Sequence, residues 1–434
     1  MSAVLPLPKL GCFRRMRRRG GEVDVLGRIH DDCRVTAGER IKQGYDRRPY
    51  PGPAAGEPAA KSGSLPARKW MQAIGRPGAT APQRVLVAGC GTGHEALVLR
   101  REWPEAEVVA VDFSPRSIAV ARRLQRTGGA GRPIDFRVAD LTAPDLATRT
   151  GGEFDLITCH GVLSYIPEPG SALRHLAGCV RPGGALYLGV NGEGHPATRL
   201  RPWLASFGLA VDDLRDERRL RELLRLWDSF HDDELGELST MSASYLGSDI
   251  CGAHFNNWPL ARWRAEAKRH GWEVAGTAIL PLALRLAMEG HHDRPLFPAG
   301  IGELAERLDH ARPAGFHRLL LRRADAGALE LRFDRKAGPR LRWTGFYAAR
   351  FSKPSGGRGV KVVLHCRTFG LRVEERLTGR QAEALRTLVA AGTAPDGWVQ
   401  VFAQSDAARW MLWRWFGLGV VAVESESRRA SPTA

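Results

Sequence analysis

The chain has 434 residues, 43% of them hydrophobic, which allows two or three domains with sizeable cores. Lys and Arg total 64 against 47 acids, a formal charge of +17, so an anionic partner such as nucleic acid stays open, although abundant Arg, Ala, Gly and Pro also follow from a GC-rich genome. Seven scattered cysteines with no Cys-x-x-Cys argue against a disulfide framework or structural zinc, and no apolar run reaches the ~18 residues of a membrane span.

Residues 1–40 read as a basic arm. Arg14, Arg15, Arg17, Arg18 and Arg19 are not followed by an apolar segment, so no secretory signal is expected and the protein is expected in the cytoplasm. The arm is either a solvated tail or a tether for an anion. Gly44-Tyr45-Asp46-Arg47-Arg48-Pro49-Tyr50-Pro51 comes next, then a proline-rich lead-in to residue 66.

The chain is organised around residues 85–115. Val85-Leu86-Val87-Ala88 reads as a buried parallel strand. Gly89-Cys90-Gly91-Thr92-Gly93 makes a tight turn, residues 94–103 have helical spacing, and Val108-Val109-Ala110-Val111 is a second strand ending at Asp112. Glycines let backbone N–H groups approach a ligand closely, and an acid at the next strand tip can accept both hydroxyls of a ribose. Asp112 follows Gly91 by 21 residues, close to the ~20 of a nucleotide-binding βαβ unit.

Ser114 and Pro115 start the next helix, with Ile118, Ala121 and Leu124 inward and Gly128-Gly129 at its end. Residues 134–138 form strand three, ending at Asp140 and Leu141. Residues 153–159 form strand four, followed by His160-Gly161-Val162-Leu163-Ser164-Tyr165. A helix then ends in Arg181-Pro182-Gly183-Gly184 before strand five, residues 185–190. Residues 272–279 suit strand six, and 316–322 an antiparallel strand seven.

The Gly-x-Gly-x-Gly turn distinguishes this chain from Gly-x-Gly-x-x-Gly proteins. Residues 85–93 resemble the first motif of the class I S-adenosylmethionine (SAM) methyltransferases, of the type-12 kind. Val87 stands where that motif often has an acid. The Arg-Pro-Gly-Gly strand entry extends the resemblance across residues 83–190. It implies a Rossmann-like α/β fold, a seven-stranded doubly wound sheet with helical insertions. It also implies SAM as cofactor, bound by Gly89, Cys90, Gly91, Thr92, Gly93, Asp112, Phe113, Asp140, Leu141 and His160. A bacterial subset of the family carries a stretch similar to residues 45–51, which implies a lid over the cofactor. The resemblance also disfavours two acceptor classes. The Asp/Asn-Pro-Pro-Tyr of amino-methylating nucleic-acid enzymes and the Pro-Cys of cytosine-C5 enzymes are absent where Cys159-His160-Gly161-Val162 stands.

Three segments make up the expected organisation: residues 1–66, a SAM domain at 67–325 with a helical insertion at 191–270, and a small α+β domain at 327–434. The insertion carries a charged amphipathic helix over 211–235, and it lies where open α/β sheets bind ligands. Candidate catalytic residues are His160, Tyr165 and His254. The polar and aromatic cluster at 249–258 offers Asp249, His254 and Asn257 for an acceptor, or is a polar loop before the next helix. His291-His292-Asp293 lacks a further spaced ligand, and no metal is expected. In the last domain 329–333, 360–364, 371–376 and 420–423 read as strands and 377–391 as a helix, while Trp410, Trp413 and Trp415 lie on another. The expected function is methyl transfer from SAM to an unidentified protein, small metabolite or RNA. The alternative is a noncatalytic nucleotide- or RNA-binding module with the same fold, and a nicotinamide enzyme is a third possibility.

Overall fold

A computed structural model describes residues 36–51, 82–127, 132–211, 214, 216–230, 237–277, 301–326, 340–353, 358–366, 371–417 and 419–423. The arm at 1–35, the lead-in at 52–66, Gly128-Gly129, the 291–293 cluster and the strand expected at 329–333 lie outside the described residues. Contacts divide the chain into Met1–Thr36 and Ala37–Ala434, and everything below concerns the second unit.

Helix α1 spans Ala37–Arg47. A seven-stranded sheet follows: β1 Arg84–Ala88, β2 Glu107–Asp112, β3 Asp135–Val138, β4 Phe154–His160, β5 Val180–Asn191, β6 Trp272–Thr277 and β7 Phe316–Arg323. Its order is β3-β2-β1-β4-β5-β7-β6. Strands β1 to β5 run parallel, and β7 lies antiparallel between β5 and β6. Chain order reverses between β1 and β4, which places a ligand crevice beyond their carboxyl ends.

Both faces of the central strands are covered, which is why they read as continuous apolar runs. Val85 and Val87 face one side with α2 (His94–Glu102) and α3 (Pro115–Thr127), against Leu99, Ile118 and Ala121. Leu86 and Ala88 face the other with α4 (Leu146–Thr150) and α5 (Pro169–Cys179), against Leu173 and Leu176. Strand β5 begins earlier than expected, because the Arg-Pro-Gly-Gly stretch lies inside it. Phe154 pairs with Val180 and Leu156 with Ala185, so the glycines form an irregularity within the strand.

After β5 come α6 (Pro196–Ser206) and α7 (Glu217–Asp228). The amphipathic helix expected over 211–235 is α7, capped by Asp216, whose side chain accepts from the Arg219 amide. Turns at Leu238–Thr240, Ala243–Tyr245 and Leu246–Ile250 complete the insertion. It has its own core of Leu200, Leu204, Leu220, Leu224, Trp227, Leu246 and Ile250. Helix α8, Leu260–Arg269, buries Leu260, Trp263 and Ala267 in the core of the sheet instead. The separately packed part is therefore shorter than 191–270. Helix α9, Ile301–Ala311, precedes β7.

The C-terminal region has a three-stranded antiparallel sheet of β9 (Ala348–Ser352), β10 (Val360–Cys366) and β11 (Leu371–Leu377). A second pair joins β8 (Leu341–Trp343) to β12 (Val421–Val423). Helices α10 (Gly379–Ala391), α11 (Trp398–Phe402) and α12 (Asp406–Gly417) pack on them. Thr378 and Gln381 cap α10 reciprocally, as a Thr-x-x-Gln start allows. Glu375 pairs with Arg414 and accepts from the Trp415 indole, so Trp415 is a core residue with a satisfied N–H. Among the described residues no helix is long and apolar enough to cross a membrane.

Candidate functional site

The glycine turn leaves β1 with positive φ at Gly89, Gly91 and Gly93, a conformation that costs other residues most. Each glycine also has a steric reason to be one. A Cβ at Gly89 would meet the Val162 side chain, one at Gly91 the Tyr50 carbonyl, and one at Gly93 the Ala121 and Phe136 side chains.

The turn's amides are used internally, which the sequence did not suggest. Gly89 and Cys90 both donate to the Val111 carbonyl, and Gly93 donates to Cys90. Gly91 donates to Asp112 Oδ2 at 2.9 Å, and Thr92 donates to the Tyr50 carbonyl at 3.0 Å. A pyrophosphate needs such N–H groups free. This turn offers a ligand a shaped backbone wall, with the anion-binding amides already engaged.

Asp112 ends β2 almost buried. Its Oδ1 accepts from the Ser114 amide, so the carboxylate is held at both oxygens by backbone. Burial pushes its proton affinity up, and those two N–H bonds pull it back. Asp140, after β3, uses Oδ1 for the Thr142 amide and hydroxyl and is exposed, while Leu141 is buried. His94, which opens α2, has a buried Nε2 without a protein partner. Sequence reasoning passed over it.

Residues 45–51 lie against the turn. The Thr92 hydroxyl donates to the Pro51 carbonyl at 2.8 Å, and the Ser114 hydroxyl bonds Asp46. The Tyr45 ring meets Phe113 edge-on at 5.9 Å between centroids. Arg48 reaches the other way, donating to the Leu214 carbonyl at 2.7 Å. The segment thus joins the glycine turn to the insertion.

A second polar cluster faces it. Tyr165 donates to Asp249 Oδ1 at 2.7 Å, and Asn191 Nδ2 lies 3.3 Å from the Tyr165 hydroxyl and 3.1 Å from Asn257 Oδ1. Asn257 in turn donates to Thr198. Burial raises the proton affinity of Asp249, opposed by hydroxyl bonds from Ser248 and Tyr165. Asn191 was not singled out from sequence; its only signal is its place at the end of strand five.

The structure links Tyr165, Asp249 and Asn257 by hydrogen bonds through Asn191, while the two histidines have contacts with other residues. His160 Nδ1 contacts the Tyr187 hydroxyl at 3.1 Å, and its ring stacks with Tyr187 and packs on Phe316. His254 Nε2 contacts Asn256 Oδ1 at 3.0 Å. Asn256 donates to the Leu163 and Ile166 carbonyls, so His254 buttresses the loop that carries Tyr165.

Comparison with known proteins agrees with this geometry. Residues 86–186 match the family model described as a methyltransferase domain. The chain is 42% identical over 121 residues to an uncharacterised Synechococcus protein, covering 28% of this chain and 27% of that one. It is 36% identical over 131 residues to a ubiquinone biosynthesis O-methyltransferase of Xanthomonas axonopodis pv. citri, covering 30% of this chain and 48% of the relative. It thus spans about half or less of those relatives. Among solved structures, PKMT2 from Rickettsia typhi in complex with AdoHcy shares the fold, with a TM-score of 0.52 at 16% identity, covering 82% of this chain and 75% of the other. The residues present suit that cofactor type. A nucleoside without phosphates needs an acid at a strand end for its ribose, the position Asp112 occupies, and none of the amides the turn has used. Residues 86–186 therefore form a methyltransferase domain, set in a fold shared with that AdoHcy-bound structure.

Proposed function

We propose that the chain transfers a methyl group from SAM to an acceptor seated between the loop after β4 and the insertion. The observation that supports this most is the join made by residues 45–51. They bond the glycine turn at Thr92 and the start of α3 at Ser114, and they reach the insertion through Arg48.

In this reading Asp112 takes the ribose hydroxyls. Asp140 takes the adenine amino group, with Phe113 and Leu141 as apolar walls. Gly89, Cys90, Gly91 and Gly93 shape the wall beside the cofactor. Thr92 contributes by pinning residues 45–51 over it. When bound, SAM supplies a methyl group already activated by its sulfonium, so the chain's task is alignment and, where the acceptor needs it, proton removal. Tyr165, Asp249 and Asn257 hold the acceptor. A carboxyl whose proton affinity is raised by burial suits a group that takes the acceptor's proton. His160 and His254 act as positioning residues, through Tyr187 and through Asn256.

The test is transfer of labelled methyl groups from SAM into a cell extract by the full chain, with cofactor binding measured in parallel. Labelled product that falls strongly with Asn257→Ala supports the reading. Tight cofactor binding with no labelled product from any extract favours the noncatalytic module.

A further inference from the structure

Asp249 lies on the Leu246–Ile250 turn, bonded by Tyr165 and near enough to Tyr45 and Tyr50 for its charge to act on both. Its carboxylate accepts from two hydroxyls, Tyr165 and Ser248. No Lys, Arg or His among the described residues neutralises it. Arg48 passes beside Gly247, but its guanidinium donates to the Leu214 carbonyl. Desolvated carboxylates normally sit beside a cation or give up their charge. Asp249, Tyr45 and Tyr50 nevertheless keep some exposure, so the group borders an opening. A carboxylate with tyrosines near it suits an organic cation, which gains the charge and can rest on a ring.

We propose that Asp249, with the rings of Tyr45, Tyr50 and Tyr165, forms a seat for an organic ammonium group. The proposal rests on the reading above that places the acceptor beside this turn. Two ligands carry such a group: an amine acceptor, and the cofactor through the ammonium of its methionine part. Hydroxyl and carboxylate acceptors gain nothing from this seat.

The test uses the full chain and its Asp249→Asn variant, with far-UV circular dichroism as the folding check. Calorimetry measures S-adenosylhomocysteine, which carries the ammonium, and 5′-methylthioadenosine, which does not. Saturation-transfer NMR on the chain loaded with S-adenosylhomocysteine measures hexylamine against hexanol. A tenfold or greater loss of S-adenosylhomocysteine affinity in Asp249→Asn, with 5′-methylthioadenosine unchanged, assigns the seat to the cofactor. Retained S-adenosylhomocysteine with loss of a hexylamine signal that hexanol never gave assigns it to an amine acceptor. The proposal is overturned if S-adenosylhomocysteine and hexylamine both bind the variant within twofold of the wild type, or if hexylamine and hexanol bind the wild type alike while S-adenosylhomocysteine is retained. Tyr50→Leu serves if Asp249→Asn fails to fold, and the same ligand should weaken at least threefold. Failure of S-adenosylhomocysteine to bind the wild type would overturn the cofactor reading, while the hexylamine arm, run on the unloaded chain, still decides the seat.

Discussion

The glycine turn at 89–93 and the polar cluster around Asp249 are parts of one candidate site made in different ways. The turn is backbone. Its conformation is set by three glycines with positive φ, and its amides are spent on Val111, Asp112, Tyr50 and Cys90. The cluster is side chains, brought from β5, the loop after β4 and the insertion, and held by hydroxyl, amide and carboxylate contacts. A backbone site of this kind fits one fixed ligand. A side-chain site can be rebuilt for different acceptors while the sheet stays the same.

The largest expected effect is on the backbone side. Gly91→Ala places a methyl group against the Tyr50 carbonyl in a left-handed conformation. It should cost roughly 2–4 kcal/mol of stability from strain and overpacking together, measured by urea unfolding. If that cost is absent, residues 45–51 do not lie against the turn.

On the side-chain side, His254 and Asn257 changed together to Ala should lower turnover about tenfold, a loss of ~1.4 kcal/mol in transition-state binding. Cofactor affinity should stay within twofold. Full transfer by the double variant would move the acceptor site elsewhere, with the C-terminal region next to test.

These predictions also divide what could be read from sequence. Strands at 85–88 and 108–111 were legible because a parallel strand buried on both faces is apolar throughout. The place of Asp112 at the end of β2, beside Gly91, was legible because their separation is set by one βαβ unit. The cluster was only partly legible. Tyr165 and Asp249 stand 84 residues apart and Asn191 and Asn257 66 apart, so nothing local links them. The amide bookkeeping of the turn was hidden for the same reason, since the acceptor for Thr92 is Tyr50, outside the motif. Arg201 is a third case. It gathers the Val211, Ile250 and Gly252 carbonyls and so fixes the turn that carries Asp249, yet in sequence it is one arginine among many.

Thr92→Val sharpens the comparison at the seam between the two halves. It removes the hydroxyl bond to the Pro51 carbonyl and should cost about 1 kcal/mol. Faster proteolysis within residues 45–51, with the sheet intact, is the expected result. Cleavage no faster than in the wild type would show that this bond does not hold the segment.

The smallest expected effect is on pH. Burial raises the folded proton affinity of Asp249, so between its unfolded and folded values the native state binds more protons. Stability from this group is then greatest at low pH and falls as pH rises through that window. Neutral Asp249→Asn should melt about 1–3 °C above the wild type at pH 8, and the gap should close towards pH 4. Tyr45, Tyr50 and Tyr165 lie within reach of its charge and stay neutral there, as burial raises their values. A gap that widens on acidification would contradict the assignment.

The central claim is that Asp112 serves the cofactor and Asn257 the acceptor. Its most direct test is calorimetric titration of S-adenosylhomocysteine into the wild type, Asp112→Ala and Asn257→Ala. Asp112→Ala should lose roughly 1.5–3 kcal/mol of binding, tenfold or more, while Asn257→Ala stays within twofold of the wild type. Unchanged affinity in Asp112→Ala, or an equal loss in both variants, would contradict it.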